Sequence, residues 1–152
     1  MEATNFPLGV KMTNLPSSMY TGFIRNSNGK MYVLVKAAGA IPDGQVVSKD
    51  GTAGAEITVQ VATAAESAIG VNNFGAAIVS GEYFWALQRG VGYCHANAAF
   101  PAGLPVMISA VAGRLATIVT LQPQVGIAIA TGDTSVLTNN VVFFSMPGSY
   151  NG

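Results

Sequence analysis

Charge is what this chain has least of. Only 9% of its residues are Asp, Glu, Lys or Arg, against about 25% in an ordinary soluble domain. Lys11, Arg25, Lys30, Lys36, Lys49, Arg89 and Arg114 are scattered with no two adjacent, and seven acidic residues cancel them. Phosphate recognition needs clustered Lys and Arg, so this pattern argues against a nucleic-acid partner. It argues equally against electrostatic attachment to a membrane surface. Cysteine is nearly missing as well. Cys94 has no second cysteine to pair with, which excludes an internal disulfide and fits synthesis in a reducing compartment. Long apolar runs are also absent. The longest, such as Phe74–Val79 and Val125–Ala130, fall far short of the ~20 residues that span a bilayer. The opening MEATNFPLGV has neither the basic nor the apolar region of a signal peptide. The expectation is a soluble chain that is not exported by that route.

Apolar residues make up 50% of the chain, and the mean hydropathy is +0.42. A soluble chain this apolar and this poor in charge is prone to association, so much of its surface is expected to be covered by neighbours. Its 152 residues suit one ordinary domain, or two very small ones packed together.

Helical signals are poor. No stretch of about 12 residues carries a 3.6-residue apolar stripe free of Gly, and only Ala62–Ser67 offers a turn or two. Strand signals are frequent. Asn28-Gly29 lies between the apolar stretches Tyr20–Ile24 and Met31–Val35, the strongest short hairpin signal. Ile57, Val59 and Val61 alternate with Thr58, Gln60 and Ala62, as in a half-buried strand. Tyr83–Leu87, Leu115–Thr120, Val125–Ala130 and Val141–Met146 are short, β-branched or aromatic, and bounded by Gly, Pro or Asn, which also predicts strands. The fold class expected is all-β: a small β-barrel or β-sandwich.

One turn is written twice. Ala40–Val47 and Ala99–Val106 share the frame A-[IF]-P-x-G-x-x-V, with Pro42 and Pro101 59 positions apart. Proline presets φ and glycine tolerates positive φ, so Pro-x-Gly supports a tight turn. Each copy is followed by a glycine (Gly51, Gly113), a Thr/Val-rich strand and an apolar segment around Gly70 or Gly126. An aromatic strand closes each, with Phe84 matched to Phe143. Glycine inside such apolar segments marks a bulge or a close backbone approach. The organisation expected is an extended N-terminal arm over residues 1–22 and a single all-β domain over 23–152. That domain would be built from two related short-strand repeats, about 33–90 and 91–148.

These blocks resemble the capsid cement, or decoration, proteins of tailed bacteriophages, in particular the group with repeated G-x-x-V … G … IGVA blocks. The matching stretches are Val33–Val47, Ala68–Val71, Phe100–Val106 and Gln124–Ala130, within roughly residues 30–147. The N-terminal arm lies outside the resemblance, and Tyr83-Phe84-Trp85 is richer in aromatics than the family pattern. The resemblance implies a viral structural protein on the outer capsid surface of the virion, made in the host cytoplasm. It implies a homotrimer that binds the major capsid protein where coat subunits meet and holds the shell against internal DNA pressure, with no cofactor and no catalysis. The alternative is a carbohydrate- or receptor-binding β module of a head fibre or tail.

Residues with catalytic or ligand chemistry are few. Cys94-His95 is the one pairing that invites an enzyme reading, but adjacent residues on a strand point to opposite faces, and a Cys/His nucleophile needs the two side chains in contact. One His and one Cys cannot close a zinc site. Asp43, Asp50, Glu56, Glu66, Glu82 and Asp133 are widely spaced and form no calcium loop. Gly90-Val91-Gly92 lacks the following helix and Lys-Ser/Thr of a phosphate loop and reads as a bulge or turn. The expectation is no enzyme, no metal and no cofactor. Candidate protein-contact residues are Phe6, Met12, Met19 and Tyr20 of the arm, together with Tyr83 and Trp85, which share one face of a strand while Phe84 takes the other. An arm without its own core is expected to dock on a neighbour, and exposed aromatics anchor such contacts.

Overall fold

The computed structural model describes residues 8–51, 54–63, 66–117, 124–132 and 140–146. The chain is all-β, and among the described residues ten strands join one sheet. They are β1 (Ile24–Ser27), β2 (Lys30–Ala37), β3 (Val46–Lys49), β4 (Thr58–Val61), β5 (Ala68–Val71), β6 (Tyr83–Tyr93), β7 (Pro105–Ile108), β8 (Leu115–Thr117), β9 (Gln124–Ala128) and β10 (Val141–Ser145). The order β2-β4-β3-β5-β6 closes on itself because β2 also pairs with β6. The result is a five-stranded barrel. Only the β2–β4 pair within it is parallel. β1 occupies the rest of the edge that β2 offers to β4.

Barrel closure explains the runs of apolar residues. Val33, Val35 and Ala37 of β2, Phe84 and Ala86 of β6, Val47, Val59 and the bridged pair Ile41 and Ile78 fill the barrel interior. Leu34, Tyr83 and Trp85 point the other way, where Met19 covers them together with the half-buried Leu8, Met12 and Leu15. Strands buried on both faces lose the alternation of a half-exposed strand, so Tyr83–Gln88 is buried without a break.

β6 is long because it serves both the barrel and the strands beyond it. Its first half pairs with β2. A bulge at Gln88 follows, and Arg89–Tyr93 then pairs with β10, which leads on to β9, β7 and β8. Gly90-Val91-Gly92 is therefore strand rather than turn. Gly90 has φ 108°, and the backbone of Gly29 and Lys30 lies so near that a β-carbon there would stand about 3.1 Å away.

The two halves repeat one pattern. β4-β3-β5-β6 and β8-β7-β9-β10 pair in the same order, all antiparallel. Val46 faces Val71 and Val47 faces Gly70; Pro105 faces Ile127 and Val106 faces Gly126. A register shift follows Val47 in one half and Val106 in the other. The turns match too. The Gly44 N–H donates to Asn72 O at 2.7 Å, and the Gly103 N–H donates to Ala128 O at 2.7 Å. Both glycines have positive φ, 79° and 86°, as Pro-x-Gly requires.

Three local readings change. Asn28 and Gly29 form the expected two-residue hairpin, with φ of 51° and 76°. Its first strand begins at Ile24 rather than Tyr20, because Gly22 turns the chain at φ 98°. The described residues of 62–67 are not helical. There the Glu66 carboxylate accepts the Thr63 N–H at 2.9 Å, and the Glu66 N–H donates to Thr63 O at 3.0 Å. Finally, Phe143 faces Ile127 as Leu87 faces Val71. The counterpart of Phe143 is thus Leu87 and not Phe84, which puts the last strands on the same 56-residue offset as Gly70 and Gly126.

Candidate interaction surfaces

The arm and the barrel wall form the first surface. Met12 exchanges two backbone hydrogen bonds with Tyr83, at 3.1 and 2.7 Å. Lys11 Nζ reaches Glu82 at 3.1 Å and Ala77 O at 3.2 Å. Met19 is buried against Leu34, Tyr83 and Trp85. Leu8, Met12, Leu15 and Met19 of the arm therefore pack on the chain's own barrel. Trp85 also carries Arg25 over its ring at 4.9 Å, a geometry that favours the cation. Between the arm and the barrel runs a cleft of about 370 Å³, lined by Asn14, Ser17, Tyr20, Glu56 and Tyr83 among others. On its wall the Tyr83 hydroxyl donates to Glu56, and Lys36 Nζ lies 3.5 Å from the same carboxylate. The hydrogen bond to Glu56, and then burial, raise the Tyr83 pKa, so the phenol stays neutral.

Within one chain, then, the structure brings Met12, Met19, Tyr83 and Trp85 together beneath the arm. It leaves Tyr20 bare at the rim of the cleft, 66% exposed and edge-on to Phe23 with ring centres 4.4 Å apart. Phe6 lies outside the described residues. Among the described members of the set, Tyr20 is the one with most surface to offer.

The second surface was not legible as a site. Val91 of β6, Phe143 of β10 and Ile127 of β9 stand directly opposite one another across three strands, so their side chains share a face. They are 40%, 51% and 45% exposed. Ile129, whose N–H donates to Val141 O at 2.9 Å, continues the row and is also exposed. The alternation of β10, in which Val142 and Phe144 are buried and Phe143 and Ser145 exposed, is the signal that marks it. That pattern shows in the sequence only once the inward face is known.

The cysteine lacks the surroundings of a nucleophile. Cys94 is fully buried, its sulfur lies 3.8 Å from Asn140 O, and burial pushes its pKa up to about 12. A catalytic thiol needs the opposite shift. His95 is drawn toward its neutral form, first by burial and then by Arg114. Among the described residues no three His, Cys, Asp or Glu side chains group in a way that could hold a metal.

No protein-family model matches the chain, and no curated protein does. Among solved structures, the N base of the head fiber gp8.5 in bacteriophage phi29 is similar to it, with a TM-score of 0.59 and 10% sequence identity. The match covers 76% of this chain and 94% of that one. At that identity the likeness is one of fold.

Proposed function

We propose that this chain is a structural protein of a phage head, a cement or decoration protein that binds the outer face of the shell as a homo-oligomer and bridges adjacent coat subunits. The observation that carries the reading is the shared fold with a head-fibre base over nearly all of that base. It is joined by the cement-like blocks at both copies of the Pro-x-Gly turn. The chemistry agrees. A surface poor in charge suits broad apolar and hydrogen-bonded contacts, and repetition over a symmetric shell multiplies weak contacts into firm attachment.

A second reading is favoured by one feature, the bare Tyr20 beside a polar cleft that holds Glu56. On that reading the chain is the base of a receptor- or glycan-binding fibre, with Tyr20 as a stacking platform. Quantitative mass spectrometry of purified particles separates the two. A copy number equal to that of the major coat protein, or a simple fraction of it set by shell symmetry, supports the cement. A few copies per particle supports the fibre, and absence from particles removes both.

A further inference from the structure

Stretches far apart in sequence build the cleft between the arm and the barrel. Residues 14–17 and 19–21 form one wall, and Ala55, Glu56 and Tyr83 form the other. Short hydrogen bonds fix both walls. The Met19 N–H donates to Pro16 O at 2.9 Å and turns the chain along the first wall. The Ile57 N–H donates to Thr21 Oγ1 at 2.7 Å and ties that wall to the second. The fold therefore sets the shape of the cleft before any ligand arrives. Its volume of about 370 Å³ falls within the range of small-molecule sites, roughly 300–1,000 Å³. Asn14, Ser17 and Tyr20 on the first wall carry groups that both donate and accept hydrogen bonds. Among the described lining residues only Glu56 is charged, and Lys36 at 3.5 Å balances it. The Glu56 side chain is half exposed, and a carboxylate that holds one phenol and one ammonium keeps lone pairs for further donors. Tyr20 stands bare at the rim, its ring braced edge-on by Phe23.

We propose that this cleft binds a neutral sugar, with one pyranose ring lying on Tyr20 and its hydroxyl groups bonded to Glu56 and Asn14. Three features select that class. Sugar hydroxyls both donate and accept, as the lining does, whereas an apolar ligand would cut these polar groups off from water at a cost. Glu56 already has its countercharge in Lys36, so an ionic ligand meets no unmatched opposite charge. The C–H face of a pyranose ring is apolar while its edge is polar, which matches a bare tyrosine ring, apolar on its face and polar at its tip. A cleft of this size takes a mono- or disaccharide. Hydroxyl groups trade bonds with water for bonds with protein at small net gain, so one copy should bind with a Kd on the order of 1 mM. Firm attachment to a glycan-coated surface then needs many copies side by side. The inference deepens the fibre reading, and rests on it for the sugar being part of a receptor.

The test is titration of the isotope-labelled full chain with sugars, followed by the amide shifts of its NMR spectrum. The probes are glucose, galactose, mannose, N-acetylglucosamine, maltose and lactose, with glucuronic acid and glycerol beside them. Each is raised to ~100 mM, about 100 times the expected Kd. At least one neutral sugar should give saturable shifts centred on residues 14–21 and 55–56. Tyr20→Ala should weaken that binding roughly 10-fold, as loss of an aromatic anchor does, with melting unchanged because the side chain is exposed. Glu56→Gln, which keeps the shape but loses the charged acceptor, should weaken it about 10-fold as well. Val79→Ala, at an exposed position outside the cleft, should bind like the wild type. No saturable shift from any neutral sugar, shifts of equal size with glycerol, tighter binding of glucuronic acid than of glucose, or full binding by Tyr20→Ala would overturn the site. The site and the fibre reading fail separately. Sugar binding by a chain present at the copy number of the coat protein removes the fibre reading and leaves the site. A component of a few copies per particle that binds no sugar removes the site and leaves the fibre reading.

Discussion

At the residue scale, two kinds of position carry more than their size suggests. The first is glycine where backbones meet. A β-carbon on Gly126 would stand 2.5 Å from the carbonyl oxygen of Phe143, and one on Gly70 would stand 2.7 Å from the β-carbon of Ala86. Neither site has room, so Gly126→Ala and Gly70→Ala should each lower stability by about 1–3 kcal/mol, the usual cost of overpacking. Urea midpoints measure this, and midpoints equal to wild type would show that the strands part without cost. The second is Glu66. Its carboxylate accepts the Thr63 N–H, the Ser48 hydroxyl at 2.7 Å and the Gln60 amide at 3.2 Å. It thereby ties β3 and β4 to the loop that follows them. These bonds favour the charged form and lower its pKa, the Thr63 bond most. A lowered folded value means that the stabilisation is present above the ordinary carboxylate pKa and is lost as pH falls through the folded value. The melting difference between wild type and Glu66→Gln should therefore be full at neutral pH and vanish in acid. A difference that persists unchanged to low pH would assign the effect to packing instead.

At the element scale, the arm is part of the barrel wall. It covers Leu34, Tyr83 and Trp85, and the two Met12–Tyr83 backbone bonds add a rung to the outer side of β6. Removing residues 1–20 strips Met19 from the indole of the chain's single tryptophan. Trp85 emission should then shift to longer wavelength and the melting temperature should fall. Met19→Ala should reproduce part of the loss, about 2–5 kcal/mol for a buried Met. Unchanged emission in the truncated chain would mean that the arm does not shield the ring in solution. The aromatic run Tyr83-Phe84-Trp85 was legible as a strand with two faces. What covers each face was not, because the partners Met12 and Met19 lie 64 to 73 positions away from Tyr83 and Trp85, and almost no periodicity marks the arm.

At the scale of the whole molecule, the barrel and the strands β7–β10 beyond it are one cooperative body. β6 runs through both, and a single core holds Leu87 and Val71 from the first half with Phe144, Val142 and Leu115 from the second. Neither half can open without exposing the core of the other. Urea unfolding should thus be one transition, with Trp85 emission reporting the first half and amide exchange of β7–β10 reporting the second, at the same midpoint. Two separated midpoints would mean that the halves fold alone.

The sequence by itself determined the all-β class, the hairpin at Asn28-Gly29, the two Pro-x-Gly turns and the special roles of Gly70 and Gly126. Each depends on local chemistry: φ preset by proline, positive φ allowed by glycine, β-branched side chains on short strands. Only the tertiary structure decided that β2 closes on β6 to make a barrel, that Phe143 matches Leu87, and that the arm lies on its own barrel while Phe143 and Ile127 face outward. Closure and burial are set by which distant strands pair. A one-residue slip in register turns every side chain to the opposite face, so no reading of neighbours along the chain can say which apolar face is covered.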